Sequence, residues 1–478
     1  MSQHTSRRSF LQAATGLAAA AAHPLGQRFS LQLATQLAGL GALAASQARA
    51  ATTNDGYKAL VCLYMAGGSD SHNWLVPTDA ANYASYATAR AELAWPAGKL
   101  QAITSTGQGS GRSFGMPQEL APLRNWYESG QMAWLANVGT LTRPITKADY
   151  QAGVGLPAKL FSHNDQAAMW QSLQPEGAPT GWGGRMGDIL MAANQQPVFT
   201  AVSASGNAVF LSGNSVTQYQ VGSAGPVLIN GAQTGWRAGS SNTPTALRSL
   251  LAGSGSNAFE AEYLKVVQRS LNTSSTLQSA LAGTPLAALP TAPITLPDGS
   301  TLALNNDALA RQLRIVAQMI AAGPAMGMRR QVFMVSLGGF DSHSNQMRDQ
   351  PLLMARVAQS VNWFLAALQG QGMLNNVMLF SASDFGRTLA SNGDGCDHGW
   401  GSHHFVAGGA VKGRQILGSM PITALGTADD LGSGRLLPST SVSQYAASLG
   451  AWLGLNASEQ RSVLPSLANF SAPSLGFI

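Results

Sequence analysis

The chain has 478 residues, 45% of them hydrophobic, enough to bury one large α/β domain or two smaller ones. Only 10% are charged and 53 are glycine, a balance more typical of exported proteins than of cytosolic ones. The formal net charge of +6 belongs largely to residues 1–50, which hold Arg7, Arg8, Arg28 and Arg49 and no acid; without those four, 28 basic residues become 24 against 22 acidic, and with no Lys/Arg stripe interleaved with aromatics, nucleic acid is excluded as a partner.

Ser6-Arg7-Arg8-Ser9-Phe10-Leu11 reads as a twin-arginine export signal. Apolar residues 13–22 and 31–45 follow, then an A-x-A cleavage site at Ala48-Arg49-Ala50. The expected organisation is a signal peptide over 1–50 and a mature domain over 51–478, carried to the periplasm or further out by the twin-arginine translocase. Neither apolar stretch reaches the roughly 20 residues of a membrane span, so no transmembrane anchor is expected after cleavage. Substrates of that translocase cross folded, which fits a metal loaded before export. Cys62 and Cys396, far apart in sequence, make no disulfide framework, and a bridge between them needs the 381–413 loop to pack on the 58–65 strand.

Residues 58–65 (KALVCLYM) read as a central parallel strand feeding the turn GGSDSHN, with Asp70 and Asn73 at the strand's carboxyl end, where open α/β sheets bind ligands. Asp70 or Ser71 also fits a helix N-cap. Residues 118–129 have helical spacing, and 131–138 form the next strand. Ser162 and His163 open a helix through Trp170, where free N–H groups favour an anion or an alkoxide; Ser162 fits a nucleophile or a plain N-cap. Arg185 in GWGGRMGD suits an anionic substrate or a structural ion pair. Residues 197–203 read as a strand. Residues 204–305, rich in Ser, Gly, Ala and Thr, read as an inserted cap region that decides substrate choice, with a helix over 258–271 and a Pro297-Asp298-Gly299 turn. A helix over 308–322 stops at Gly323-Pro324. A strand over 331–337 delivers GGFDSHSNQ with Asp341 and His343, and a helix over 351–368 precedes a strand over 376–381. A short strand over 405–407 and a helix over 441–453 complete the chain. Strands alternating with helices predict an α/β fold, a mostly parallel sheet sandwiched by helices.

Residues 381–413 organise the rest. Asp384 lies just past a strand, and the glycine-rich loop after it carries Asp394, Asp397, His398, His403 and His404, three of the chain's eight histidines. His72, His163 and His343 each sit in a compact polar stretch just after an apolar run. Asp and His at strand ends are metal ligands, and glycine lets backbone approach an ion closely. One such motif alone reads as a polar loop; four together read as a site.

The twin-arginine leader together with GGSDSHN, SHND, GWGGR, GGFDSHSNQ and SDFGRT…DHGWGSHHFVAGGAVKG resembles the DUF1501 proteins, exported bacterial proteins related to the alkaline phosphatase and sulfatase superfamily. The resemblance covers nearly the whole mature chain. The link to the superfamily rests on order: a metal-binding Asp after the first strand, a nucleophile at a helix N-terminus, then Asp/His motifs for two metals. The chain departs from these patterns. Ser69 and Ser71 replace Asn and Gly of a GGNDG motif, Ser342 and Cys396 stand where Thr is usual, SHND lacks the usual Phe after His, and Asp384-Phe385 replaces an Asp-His pair. No sulfatase-type Cys/Ser-x-Pro-x-Arg nucleophile is present.

The resemblance implies an alkaline phosphatase/sulfatase-like fold and a metal-dependent hydrolase of phosphate or sulfate esters. Its substrate would be a small molecule or a polymer. Asp70, Asp341, His343, Asp384, Asp397 and His398, with His403 or His404, would hold one or two divalent ions (Zn, Mg, Ca or Mn). Ser162 and His163 would act in catalysis, and Asn73, Arg185 and Arg387 would meet the substrate. The altered motifs motivate a rival reading, a non-catalytic exported binding or assembly module on the same fold.

Overall fold

The computed structural model describes residues 56–229, 243–251, 253 and 257–478. The expected leader, with Arg7, Arg8 and the cleavage site, lies outside the described residues. Among the described residues no helix is long and apolar enough to cross a membrane.

Ten strands form the main sheet: β1 (Lys58–Met65), β2 (Met132–Gly139), β3 (Ala201–Ser203), β4 (Tyr219–Gly222), β5 (Gly225–Pro226), β6 (Arg330–Leu337), β7 (Val377–Ser383), β8 (Ser402–Ala407), β9 (Ile416–Leu417) and β10 (Thr440–Ser441). Their order is β9-β2-β8-β7-β1-β6-β3-β4-β5, with β10 paired to β2 beside this path. β1 runs parallel to β6 and β7, β3 parallel to β6, and β4 parallel to β3. β8 is antiparallel to both neighbours, and β5 is antiparallel to β4. The sheet is therefore mostly parallel, as the alternation of strands and helices predicts.

The two faces of β1 feed two separate cores. Ala59, Val61, Leu63 and Met65 pack with helices Ala121–Glu128, Ala308–Ala322 and Gln346–Gly370. Leu60, Cys62 and Tyr64 pack on the other side with Trp182–Leu190 and Val442–Leu453. This is the period-two alternation of a strand buried on both faces. Fully burying one such aliphatic side chain contributes about 1.5–3 kcal/mol, so register is strongly specified. Met65 pairs with Leu337 on one side and Ser383 on the other. Three motif-bearing loops therefore leave the sheet at one level. Ser402 pairs with Val138, so antiparallel β8 begins at the edge where β2 ends.

Several bounds differ from the sequence reading. Residues 197–199 form a 3-10 turn, and the strand is only Ala201–Ser203. The helix expected to start at Pro351 starts at Gln346, because Asp394 accepts the N–H groups of Asn345 (2.8 Å, Oδ2) and Gln346 (3.0 Å, carbonyl). The strand expected over 405–407 takes in Ser402, His403 and His404. The helix expected over 258–271 continues to Ala282. The described part of 204–305 is not all peripheral, since β4 and β5 extend the main sheet.

Candidate metal centre

Two close approaches bring the motif loops together at the carboxyl edge. Gly67 has φ +117°, and a Cβ there would sit 2.5 Å from the backbone nitrogen of Asp341, so the turn after β1 can lie against the turn after β6 only as glycine. A Cβ on Gly395 would stand 2.3 Å from the carbonyl oxygen of Ser342, so the glycine-rich loop closes over the same turn.

Asp341 is the centre of what results. Its carboxylate faces three imidazole Nε2 atoms, those of His163 (3.5 Å), His343 (3.1 Å) and His398 (3.3 Å). The Nε2 atoms of His343 and His398 are 2.8 Å apart. Ligand atoms of His163, Asp341 and His398 all lie within 4.8 Å of one another. The other nitrogen of each ring meets an acceptor. Nδ1 of His163 lies 2.8 Å from Asp384 Oδ2, Nδ1 of His398 lies 2.7 Å from the carbonyl of Phe161, and Nδ1 of His343 lies 3.5 Å from Asp397 Oδ1. A carbonyl can only accept, so His398 carries its proton on Nδ1 and presents a lone pair at Nε2. Burial, then the Phe161 bond and the charge of Arg387, act on His398, with the net result that its pKa is lowered.

Phe161 pays in backbone strain for that contact. It holds φ +72°, and Lys159 holds φ +41°. A non-glycine residue in the left-handed region costs about 1–3 kcal/mol and persists where its surroundings over-determine it. Behind Asp341 stands Arg387, whose side chain is fully buried; Nη1 and Nη2 both donate to Asp341 Oδ1, at 2.9 and 2.8 Å. Arg387 thus reaches the centre as a support for Asp341. Asp384 and Asp397 also reach it through the histidines they orient. Asp384 Oδ1 accepts from the hydroxyl of Tyr64 at 2.7 Å.

Ser162 sits at the N-cap of helix His163–Ser172, but its side chain makes no capping bond. Its hydroxyl donates to Asp165 Oδ2 at 2.8 Å, and Lys159 Nζ lies 3.7 Å from the same oxygen. The residues on either side of Ser162 both touch the cluster.

The remaining sequence candidates are committed elsewhere. Asp70 is not brought to the cluster: its Oδ2 is held by buried Arg90 and by Gln346, and its Oδ1 accepts from the backbone of His72. Asn73 is buried, donating to Leu93 and Gln350 and accepting from Tyr86. Arg185 spends its donors on the carbonyls of Ser172, Thr180 and Val463, which ties helix Trp182–Leu190 to its neighbours. His403 and His404 lie inside a strand, not in the loop. Nδ1 of His403 accepts from the backbone of Asn137, and Nδ1 of His404 faces Ser381 Oγ. Burial pushes His404 down to about 3 and His403 well below the ordinary imidazole range. Tyr64, Arg90, Phe161, Asp165 and Gln346 are the residues that sequence reading does not single out. Only Tyr64, a polar tip at the end of an apolar strand, carries a local signal.

A centre of three imidazole nitrogens and a carboxylate fits a cation. Two Nε2 lone pairs cannot rest 2.8 Å apart without a positive charge or a proton between them. Among solved structures, the chain is similar to Ps i-CgsB, solved in complex with k-i-k-neocarrahexaose, at 10% identity over 88% of this chain and 78% of that one, TM-score 0.35. It is also similar to a phosphonate monoester hydrolase from Silicibacter pomeroyi (10% identity, 84% and 74% covered, TM-score 0.30) and to a 2-O GAG sulfatase (12%, 81% and 72%, TM-score 0.27). No curated protein matches the sequence. The family described as "Protein of unknown function (DUF1501)" matches residues 57–467, almost all of the described part of the chain, and the chain belongs to the DUF1501 family.

Proposed function

We propose that this protein is an exported metal-dependent hydrolase of phosphate or sulfate esters. The observation that carries the reading is the convergence of three Nε2 atoms on Asp341 at the carboxyl edge of the sheet, with each ring's other nitrogen facing an acceptor. His163, His343, His398 and Asp341 would hold the ion. A divalent ion bound there supplies positive charge beside an ester oxyanion and lowers the pKa of a nucleophilic hydroxyl. Arg387 fixes Asp341 Oδ1, which leaves Oδ2 turned toward His163. The free hydroxyl oxygen of Ser162 stands at a helix N-terminus that its own side chain does not cap, where the dipole favours an anion. Asp165 Oδ2 lies where the proton of an attacking Ser162 would go. Residues 204–305 are the natural source of substrate choice, and the substrate itself would be a small or polymeric ester.

The test is metal analysis of purified protein followed by assay with p-nitrophenyl phosphate and p-nitrophenyl sulfate. Turnover that a chelator abolishes and an added ion restores is the expected outcome. Ser162→Ala should abolish turnover and leave the ion bound. Metal with no turnover of either ester would leave both the hydrolase and the binding or assembly module standing. Export by the twin-arginine translocase to the periplasm or beyond belongs to the same proposal; replacing Arg7 and Arg8 by Lys should trap precursor in the cytoplasm, and undiminished periplasmic yield would refute it.

A further inference from the structure

The donor set of the centre says which ion and how many. Three of its four groups are imidazoles, and imidazole selects zinc, copper, iron or nickel, whereas magnesium, calcium and manganese prefer carboxylate, carbonyl and water oxygen. Three of the carboxylates that would build an oxygen-rich second position are spent. Asp70 is neutralised by Arg90, Asp384 is divided between Tyr64 and His163, and Asp341 Oδ1 is gripped by Arg387. The ligand atoms of His163, Asp341 and His398 lie within 4.8 Å of one another, and His343 Nε2 lies 3.1 Å from Asp341 and 2.8 Å from His398, so all four groups crowd one position.

The chain Tyr64–Asp384–His163 has a direction. A carboxylate that accepts on both oxygens takes the Tyr64 hydroxyl on Oδ1 and the His163 Nδ1–H on Oδ2. The proton on Nδ1 leaves the Nε2 lone pair turned to Asp341. Tyr64 is 5% exposed and is the penultimate residue of β1, so its ring is fixed by the core and its hydroxyl fixes the carboxylate. Partners of this kind behind a ligand typically change metal affinity by about 10–100-fold.

We infer that the centre takes one nitrogen-preferring transition ion per chain, zinc before magnesium or calcium, and that Tyr64 is a positioning residue that sets His163 for it through Asp384. This rests on the metal-centre reading above. The experiment is calorimetric titration of the metal-stripped full-length mature protein with zinc, cobalt, magnesium and calcium separately. One zinc or one cobalt per chain, with magnesium and calcium far weaker, is expected. Two ions per chain, or calcium binding as tightly as zinc, would overturn the inference while leaving a metal-dependent hydrolase standing. Absence of binding by all four ions would remove the centre and the inference together. Tyr64→Phe should weaken zinc by about 10–100-fold and alter the visible spectrum of the cobalt form, with the melting midpoint of the metal-free protein held. Asp384→Asn is the second variant should Tyr64→Phe fold poorly, and the same loss is expected. Zinc affinity and cobalt spectrum unchanged in both variants would strip Tyr64 of the role.

Discussion

The chain contains nearly the same six residues twice, Gly67-Gly68-Ser69-Asp70-Ser71-His72 after β1 and Gly338-Gly339-Phe340-Asp341-Ser342-His343 after β6, and the fold gives them opposite fates. The side chain of Asp70 is 1% exposed and that of Asp341 46%. His72 is buried, its Nε2 facing the carbonyl of Arg387, while His343 stays half-exposed and turns its Nε2 toward Asp341 and His398. The difference lies in what covers each turn. Helix Ala80–Arg90 delivers a guanidinium onto Asp70, and Gln346 and Gln350 seal it from the other side. Asp341 is held from behind by buried Arg387 on Oδ1 alone, and its open side faces three histidines. Each carboxylate has a buried arginine partner, but Asp70 is sealed on every side as part of the core, whereas Asp341 stays half-exposed and faces three imidazoles, a ligand in waiting. Motif identity sets neither outcome.

That contrast can be broken most forcefully at Asp70. Asp70→Ala strands Arg90 without its charge partner, and removing one member of a buried pair costs about 3–5 kcal/mol. Urea unfolding of the variant measures it, and a loss below about 1 kcal/mol would make the pair incidental. The exposed motif should behave otherwise. Asp341→Asn keeps an acceptor for Arg387, so the metal-free protein should unfold close to wild type, but the variant should no longer respond to a chelator. In wild type at an ion concentration 100-fold above Kd, the chelator should remove about 2.7 kcal/mol.

Acid separates the two regions next. Burial lowers His72 to about 4 and His404 to about 3, and lowers His403 as well. Each is neutral in the folded chain over a range in which the unfolded chain, with imidazoles near 6.5, takes up a proton. Stability is therefore whole above about pH 6.5 and falls as pH drops, by about 1.4 kcal/mol per pH unit for each such imidazole. Denaturation midpoints between pH 7 and pH 4.5 trace this slope, and His72→Gln should make it shallower by one proton. An unchanged slope would mean that His72 charges inside the fold. The smallest effect belongs to Cys396, which lies under the exposed motif, its thiol pushed up to about 11, chiefly by burial. Folded protein should resist iodoacetamide at pH 8 while urea-unfolded protein reacts; mass spectrometry reads both.

Legibility followed how local the cause was. β1 and helix Ala308–Ala322 match their expected bounds, because an unbroken apolar run between polar turns and an apolar stripe stopped by Gly-Pro are decided within a few residues. The carboxyl-edge position of Asp341, His343 and Asp384 was legible for the same reason. Helix Ala80–Arg90 was not, since it buries only Tyr86 and Arg90 and has no apolar stripe to announce it. Without that helix the fate of Asp70 cannot be read. His403 and His404 looked like loop residues because they are polar, yet in a strand adjacent side chains take opposite faces: His403 packs edge-on to His72, and His404 lies against Trp170. The inward turn of Arg185 depends on three carbonyls that only the packed helices bring near it.

The level at which β1, β6 and β7 end has an engineering meaning. A slip of one residue along a strand moves its loop by about 3.3 Å and turns its side chains to the other face. That exceeds the slack of any hydrogen bond in the centre, so a misregistered molecule would present no partly working version of it. Ion capture would then double as a proofreading signal for the whole sheet. Grafts and fusions should be confined to the opposite rim, where the chain turns through residues 323–329 and 371–376 before β6 and β7 and no candidate ligand resides.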